Sequence, residues 1–157
     1  MKKRDIILLA NLGVTNITNH DLEPANAYKV VKFRKAINSN FESISKEVEA
    51  IRKDVGIEDG KAFDDELLEL RAVRNRSEEQ AKRLDEMEAT LKRFSDLLEE
   101  LNNEDIDLGI KAMPYDVWHK LQDENKDKEL GGTKRDLLSG YVEDILEGVL
   151  WAAPADN

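Results

Sequence analysis

Apolar residues recur at helical spacing over a first long stretch of the chain. From Val30 to Val55 they lie three or four residues apart, and from Ile37 onward the steps alternate between four and three. A seam of this kind is typical of a helix that packs lengthwise against another helix. Pro24 can begin the helix, because a proline in the first turn loses no helical hydrogen bond. We therefore predict a long helix over about 24–55, ended by the glycines that follow it.

A second seam runs from Phe63 to Leu101, with polar residues at two of its positions, Ser77 and Gln80. No Gly or Pro interrupts this stretch, which favours one continuous or kinked helix. The alternative is a break near 75–77, because Ser77-Glu-Glu-Gln80 has the sequence of a capping box. Two long helices joined by a short loop pack antiparallel. The two seams therefore predict an antiparallel helical hairpin.

Two shorter segments have the patterns of strands. Ile6-Ile-Leu-Leu-Ala10 is a short apolar run between polar neighbours and predicts a strand at about 5–10. Residues 106–112 alternate apolar with other residues, as a half-buried strand does. Because an isolated strand leaves its backbone unpaired, we expect these two segments to form a small sheet. The first run is too short for a signal peptide or a membrane span.

The C-terminal part predicts two further helices. Pro114 permits a short helix from Tyr115 to about Glu124. Residues 127–135 are highly charged around a Gly-Gly pair and predict a flexible linker. Thr133 can then cap a final amphipathic helix over 136–152. The domain prediction is thus a helical-hairpin domain with a small sheet over 1–126, the linker, and a C-terminal contact helix.

The predicted fold class is mainly α: a long antiparallel helical hairpin, a small two-stranded β element and C-terminal amphipathic helices. The apolar stripe of the last helix is broad for a helix that follows a mobile linker. Either the small sheet and the other terminal helix cover this stripe, or it docks on a neighbouring subunit. The residues that would anchor such a contact are Tyr141, Ile145, Val149 and Trp151.

Charge is distributed unevenly along the chain. The 157 residues contain 34 acidic and 24 basic side chains, for a net charge of −10. Residues 1–35 nevertheless have a net charge of +4, so the remainder has −14. A chain this acidic is a poor general binder of nucleic acid. A basic patch lies near the start of the first long helix, at Lys29, Lys32, Arg34 and Lys35.

Two interpretations of the basic patch are open. Its side chains can be solvated or paired with acids of the same chain. They can also form an oriented contact with another copy or a local phosphate contact, since complementary charges steer association more than they strengthen it.

The sequence contains no complete catalytic or metal-binding motif. There is no Cys, which excludes disulfides and thiolate zinc sites and fits a reducing compartment. The two histidines, His20 and His119, lack metal-ligand spacing. Residues 103–107 begin like a calcium loop, but Leu108 and Pro114 stand where Gly and an acid are needed. We predict no catalytic residue, metal or cofactor, and no enzymatic activity. A carboxylate hydrolase would need two acids with shifted pKa values in a concave pocket.

The order of elements resembles a group of small uncharacterised bacteriophage proteins encoded among head and tail morphogenesis genes. The similarity covers about residues 24–121 and lies in the pattern of four segments. They are Tyr28-x-x-x-Lys32-Phe33-x-x-x-Ile37, Phe63-Asp-Asp-Glu-Leu-Leu-Glu-Leu70, the alternating residues 106–112, and Pro114-Tyr-Asp-Val-Trp-His-Lys-Leu121. The resemblance implies a virion or assembly role, with other protein subunits as partners in a homo-oligomer or a larger virion assembly. Such a protein would be made in the cytoplasm, without a membrane partner, and could enter the virion.

An acidic inhibitor or adaptor that binds a basic, nucleic-acid-handling protein is the alternative function. It would need an ordered row of acids on one exposed helix face. The candidate acids are Glu78, Asp85, Glu88, Glu99 and Glu100. The basic first 35 residues argue against this alternative.

Overall fold

A computed structural model describes residues 1–155 and shows a mainly helical chain, as predicted, with a small two-stranded antiparallel sheet formed by residues other than the predicted ones. The helices are α1 (Lys3–Asn11), α2 (Pro24–Asp54), α3 (Gly60–Ala72), α4 (Glu78–Asn103), α5 (Tyr115–Glu124) and α6 (Tyr141–Leu146), with a 3-10 turn at Val14–Asn16. The strands are β1 (Met113–Pro114), β2 (Lys128–Leu130), β3 (Thr133–Arg135) and β4 (Trp151–Ala152).

The chain divides into two compact units. The terminal unit consists of Met1–Ser43 together with Glu104–Asn157, and the middle unit consists of Ile44–Asn103. These units do not follow the predicted boundaries at residues 126 and 135. Helix α2 contributes residues to both units, whereas α3 and α4 belong to the middle unit.

The first long helix is confirmed. Helix α2 begins at Pro24 and buries Val30, Phe33 and Ile37, which are three or four residues apart. The helix ends at Asp54, where Gly56 adopts a φ of +93°, a conformation that glycine reaches without a steric penalty. The predicted seam therefore forms the buried side of this helix.

The prediction of a continuous second helix is wrong, and the alternative break is the observed structure. Residues 73–77 separate α3 from α4. The Ser77 Oγ accepts from the Gln80 amide at 3.1 Å, and the Gln80 side chain accepts from the Ser77 amide at 2.9 Å. The Arg76 guanidinium donates to the carbonyls of Leu70 and Arg71 at the end of α3. These polar groups satisfy both helix ends, so the break needs neither Gly nor Pro.

Both predicted strands, 5–10 and 106–112, are wrong. The first lies within α1, where Ile6 and Leu9 are buried three residues apart. Residues 106–112, all within the described chain, keep the expected alternation in burial but form no strand. The expected tie between the two regions exists nearer the N-terminus. The Met1 ammonium donates to the Ile106 carbonyl at 3.2 Å, and the Ile106 amide donates to the Met1 carbonyl at 2.8 Å.

The predicted linker over 127–135 is instead a β-hairpin. Strands β2 and β3 pair antiparallel on either side of Gly131 and Gly132, whose φ angles are +58° and +78°. A two-residue hairpin turn of type I′ requires positive φ at both central residues, which is why a Gly-Gly pair suits it. Thr133 accordingly lies in a strand and does not cap a helix.

The predicted helix over 136–152 is also wrong. Helix α6 covers only six residues, and glycines with positive φ, Gly140 and Gly148, stand on either side of it. The chain turns at residues 148–150 and is extended from Trp151, where β4 pairs in parallel with β1. The apolar residues that resembled one broad stripe are therefore divided among a loop, a short helix and a strand.

Candidate protein-interaction site

Large apolar side chains are exposed on one side of α2. Tyr28 is 60% exposed and Val31 is 48% exposed. At about 100° per residue, these two side chains fall within an arc of about 100° that also contains Lys32 and Lys35. Both lysines are exposed. We call Tyr28, Val31, Lys32 and Lys35 the basic–aromatic face.

Shallow grooves border the basic–aromatic face on both sides. One groove, with a volume of about 510 Å³, separates the face from the turn that contains Leu108 and Gly109. The other, of about 480 Å³, extends along α2 toward Glu42. Val31 and Lys35 line both grooves, so they form the ridge between them. A ridge of mixed apolar and cationic character is thus accessible from two sides.

Tyr28 and Lys32 also contact each other. The Lys32 ammonium lies 5.2 Å from the centroid of the Tyr28 ring, within the range of a cation–π interaction. This contact joins two exposed side chains that lie one turn apart on α2. It leaves the Lys32 charge exposed for a second partner.

Only half of the predicted basic patch belongs to this face. Lys32 and Lys35 are exposed, whereas Lys29 is half-buried. Arg34 is half-buried and its Nε donates to the Thr15 carbonyl at 2.9 Å, although its side chain also lines the groove toward Glu42. Sequence reasoning missed Tyr28 and Val31, although both fall on the polar side of the α2 seam, opposite its buried residues.

The four C-terminal residues predicted to anchor a contact do not share an exposed stripe. Trp151 is 7% exposed, and its ring stacks on Trp118 with centroids 5.8 Å apart and planes 14° apart. Ile145 and Val149 are half-buried, whereas Tyr141 is 61% exposed. Trp151 is therefore a core residue of the terminal unit.

The predicted acidic row on α4 is interrupted. The Arg71 guanidinium binds both oxygens of Glu88, at 2.8 and 2.9 Å. Glu78, Asp85, Glu99 and Glu100 are exposed. A like pair joins Arg83 to Glu66, so opposite charges alternate along α3 and α4.

Within residues 1–155, no group of three or more His, Asp or Glu side chains is placed to hold a metal ion. No helix in that part of the chain is both long and apolar enough to cross a membrane.

No protein family, curated protein or solved structure matches this chain. The candidate site therefore depends on its own geometry alone.

Acid should weaken the middle unit. Hydrogen bonds from Arg83 and Arg71 hold the pKa values of Glu66 and Glu88 below their ordinary 4.5. A lowered carboxyl pKa stabilises the fold at pH values above 4.5, and this contribution is lost as the pH falls through the lowered folded-state values. We expect urea midpoints, followed by helical circular dichroism, to fall over this acid range. The Glu66→Gln, Glu88→Gln double variant should have a shallower pH dependence, and an unchanged dependence would contradict this assignment.

Proposed function

We propose that this protein is a non-enzymatic structural or assembly protein that acts through contacts with other protein subunits. The carrying observation is the exposure of Tyr28 and Val31 beside two lysines on a helix of 31 residues. Exposed apolar patches rimmed by polar residues mark protein interfaces, in which Tyr is enriched. The long helix holds these side chains in a fixed spacing.

A protein partner suits the basic–aromatic face better than nucleic acid. The face presents two lysines, and the adjoining groove is lined by the acid Glu42 as well as by Arg34. A protein surface that binds nucleic acid needs many cations to neutralise phosphates, whereas the whole chain has a net charge of −10. The resemblance of residues 24–121 to phage morphogenesis proteins supports the further proposal that the assembly is a virion or a precursor of one.

Self-association tests this proposal. We expect the native chain to gain mass with concentration in sedimentation velocity experiments. The Tyr28→Ser, Val31→Ser double variant should reduce this association at least tenfold, because it removes the apolar centre of the interface, a loss of about 1.4 kcal/mol or more. The helical circular dichroism should not change, since neither side chain is buried.

A matched control comes from the C-terminal segment. Tyr141 is as exposed as Tyr28 but lies outside the basic–aromatic face. The Tyr141→Ser variant should associate like the native chain. If Tyr141→Ser abolishes association and the α2 double variant does not, the interface lies at the C-terminal contact predicted from the sequence and the proposed site is wrong.

The geometry gives less support to an acidic inhibitor or adaptor. Such a protein needs consecutive free carboxylates on one face, and Arg71 neutralises Glu88 in the middle of the row. Lys92 forms a further ion pair with Asp96 on the same helix. Helix α4 thus presents mixed charge.

A further inference from the structure

We infer that the basic–aromatic face binds helix α3 of a second copy of this chain. The inference rests on the proposed function and names the partner of its site. Among the large apolar side chains of the described residues, Leu68 on α3 is the most exposed, at 64%. Its surroundings are opposite in charge to those of Tyr28 and Val31.

The exposed side of α3 pairs one apolar residue with two acids. Asp64 and Asp65 lie one turn before Leu68, and all three are exposed within an arc of about 100°. Leu67, on another side of the helix, is buried in the middle unit. We call Asp64, Asp65, Leu68 and the exposed Ala72 the acidic–leucine face.

The two faces match in spacing as well as charge. On α2 the lysines lie about four residues, or about 6 Å, after the apolar pair. On α3 the acids lie three to four residues, or about 5 Å, before Leu68. If the helices run antiparallel, Leu68 meets Tyr28 and Val31 while both acids meet both lysines. A parallel arrangement would satisfy only one of these two contacts at a time.

The neighbouring charges are compatible with this antiparallel contact. Lys61, one turn before the acids, falls opposite the uncharged part of α2 around Ser39, beyond the lysines. Arg71 cannot repel the lysines strongly, because Glu88 already binds its guanidinium. Leu68 of the second copy can enter the groove beside Leu108 and pack against that side chain.

This contact joins two different faces, so it is heterologous. After one contact, one copy still has a free acidic–leucine face and the other a free basic–aromatic face, so further copies can add in chains or close into rings. A single pair of helix faces buries less area than a stable standard interface, so we expect weak, concentration-dependent association. Salt should weaken it, since exposed charges contribute to it.

Charge reversal tests the inference. We expect Lys32→Glu, Lys35→Glu and Asp64→Lys, Asp65→Lys each to lower the association constant at least tenfold when measured alone by sedimentation velocity. An equimolar mixture of the two double variants should recover association, because each face then meets an opposite charge. Leu68→Ser provides a second probe of α3 that changes no charge, and it should also reduce association.

Two matched controls carry the same charge changes elsewhere. Lys120→Glu, Lys134→Glu and Glu99→Lys, Glu100→Lys replace exposed residues outside both faces and should associate like the native chain. Circular dichroism verifies that each variant is folded.

Each contrary outcome has a distinct meaning. A mixture that does not recover association, or α3 variants that associate normally while Tyr28→Ser, Val31→Ser does not, overturns this inference and leaves the proposed function standing. A native chain that never associates overturns both.

Discussion

Replacing Trp118 with alanine should lower the free energy of unfolding of the terminal unit by about 3–5 kcal/mol. Trp118 has no exposed surface, and its ring stacks on Trp151. Its Nε1 donates to the Glu143 carboxylate at 3.2 Å, and the Trp151 Nε1 donates to the Glu143 carbonyl at 3.0 Å. The substitution therefore leaves a cavity, removes a stacking contact and frees one of the groups that hold α6 against α5.

Tryptophan fluorescence reports this change directly. The chain contains two tryptophans, both in the terminal unit, so urea unfolding followed by fluorescence reports that unit, through Trp151 alone in the variant. Trp118→Phe is the control: it keeps an aromatic ring and removes the donor, so it should cost less than the alanine variant. Equal urea midpoints for native protein and Trp118→Ala would show that this packing contributes little.

Replacing Asn125 with alanine should cost about 2–3 kcal/mol, although it removes only three heavy atoms. Asn125 is completely buried at the end of α5. Its amide group accepts from the Thr18 backbone amide at 2.8 Å and donates to the carbonyls of Thr18 and Leu121 at 2.9 and 2.8 Å. Alanine would remove these partners of the Thr18 amide and carbonyl, and an unmade hydrogen bond is costly where water is largely excluded. The Leu121 carbonyl keeps the backbone amide of residue 125 as a donor.

Asn75→Ala is the matched control, since Asn75 is exposed in the loop between α3 and α4. Its urea midpoint should stay close to the native value. Hydrogen exchange adds a local measurement: the Thr18 amide should exchange slowly in the native chain and rapidly in Asn125→Ala. Slow exchange in both would mean that another group satisfies this amide.

Long regular patterns were predictable from the sequence. Helix α2 begins at Pro24, and α5 covers the predicted Tyr115–Glu124, because in both cases a proline sets the start and apolar spacing defines the buried side. The capping box at Ser77 and Gln80 was visible too. The absence of Gly and Pro nevertheless favoured a continuous helix, although side-chain hydrogen bonds are sufficient to end a helix.

Short apolar segments were not predictable in the same way. Five consecutive apolar residues near Ile6 fit a strand or a buried helix equally well, and tertiary packing decided for α1. In the charged segment around Gly131, the only sign of a hairpin as opposed to a linker was the turn preference of the Gly-Gly pair itself. Gly140 and Gly148 mark the ends of α6, but their positive φ is visible only in the structure.

The candidate site was half predictable. Charge clustering located Lys32 and Lys35, but it also included Arg34, whose hydrogen bond to Thr15 depends on tertiary structure. Apolar residues such as Trp151 were interpreted as a contact surface because the sequence does not show that a stacked partner covers them. Tyr28 and Val31 were not predicted, because helical apolar spacing identifies the buried side of α2 and these two residues lie on the opposite, exposed side.

The central claim is that this protein assembles through its own surface, and its mass in solution tests that claim most directly. Sedimentation velocity of the native chain over a wide concentration range, at low and high salt, is the measurement. We expect species heavier than the 17.9 kDa chain to appear as concentration rises and to diminish as salt is added. A mass that stays at 17.9 kDa under every condition would contradict the claim.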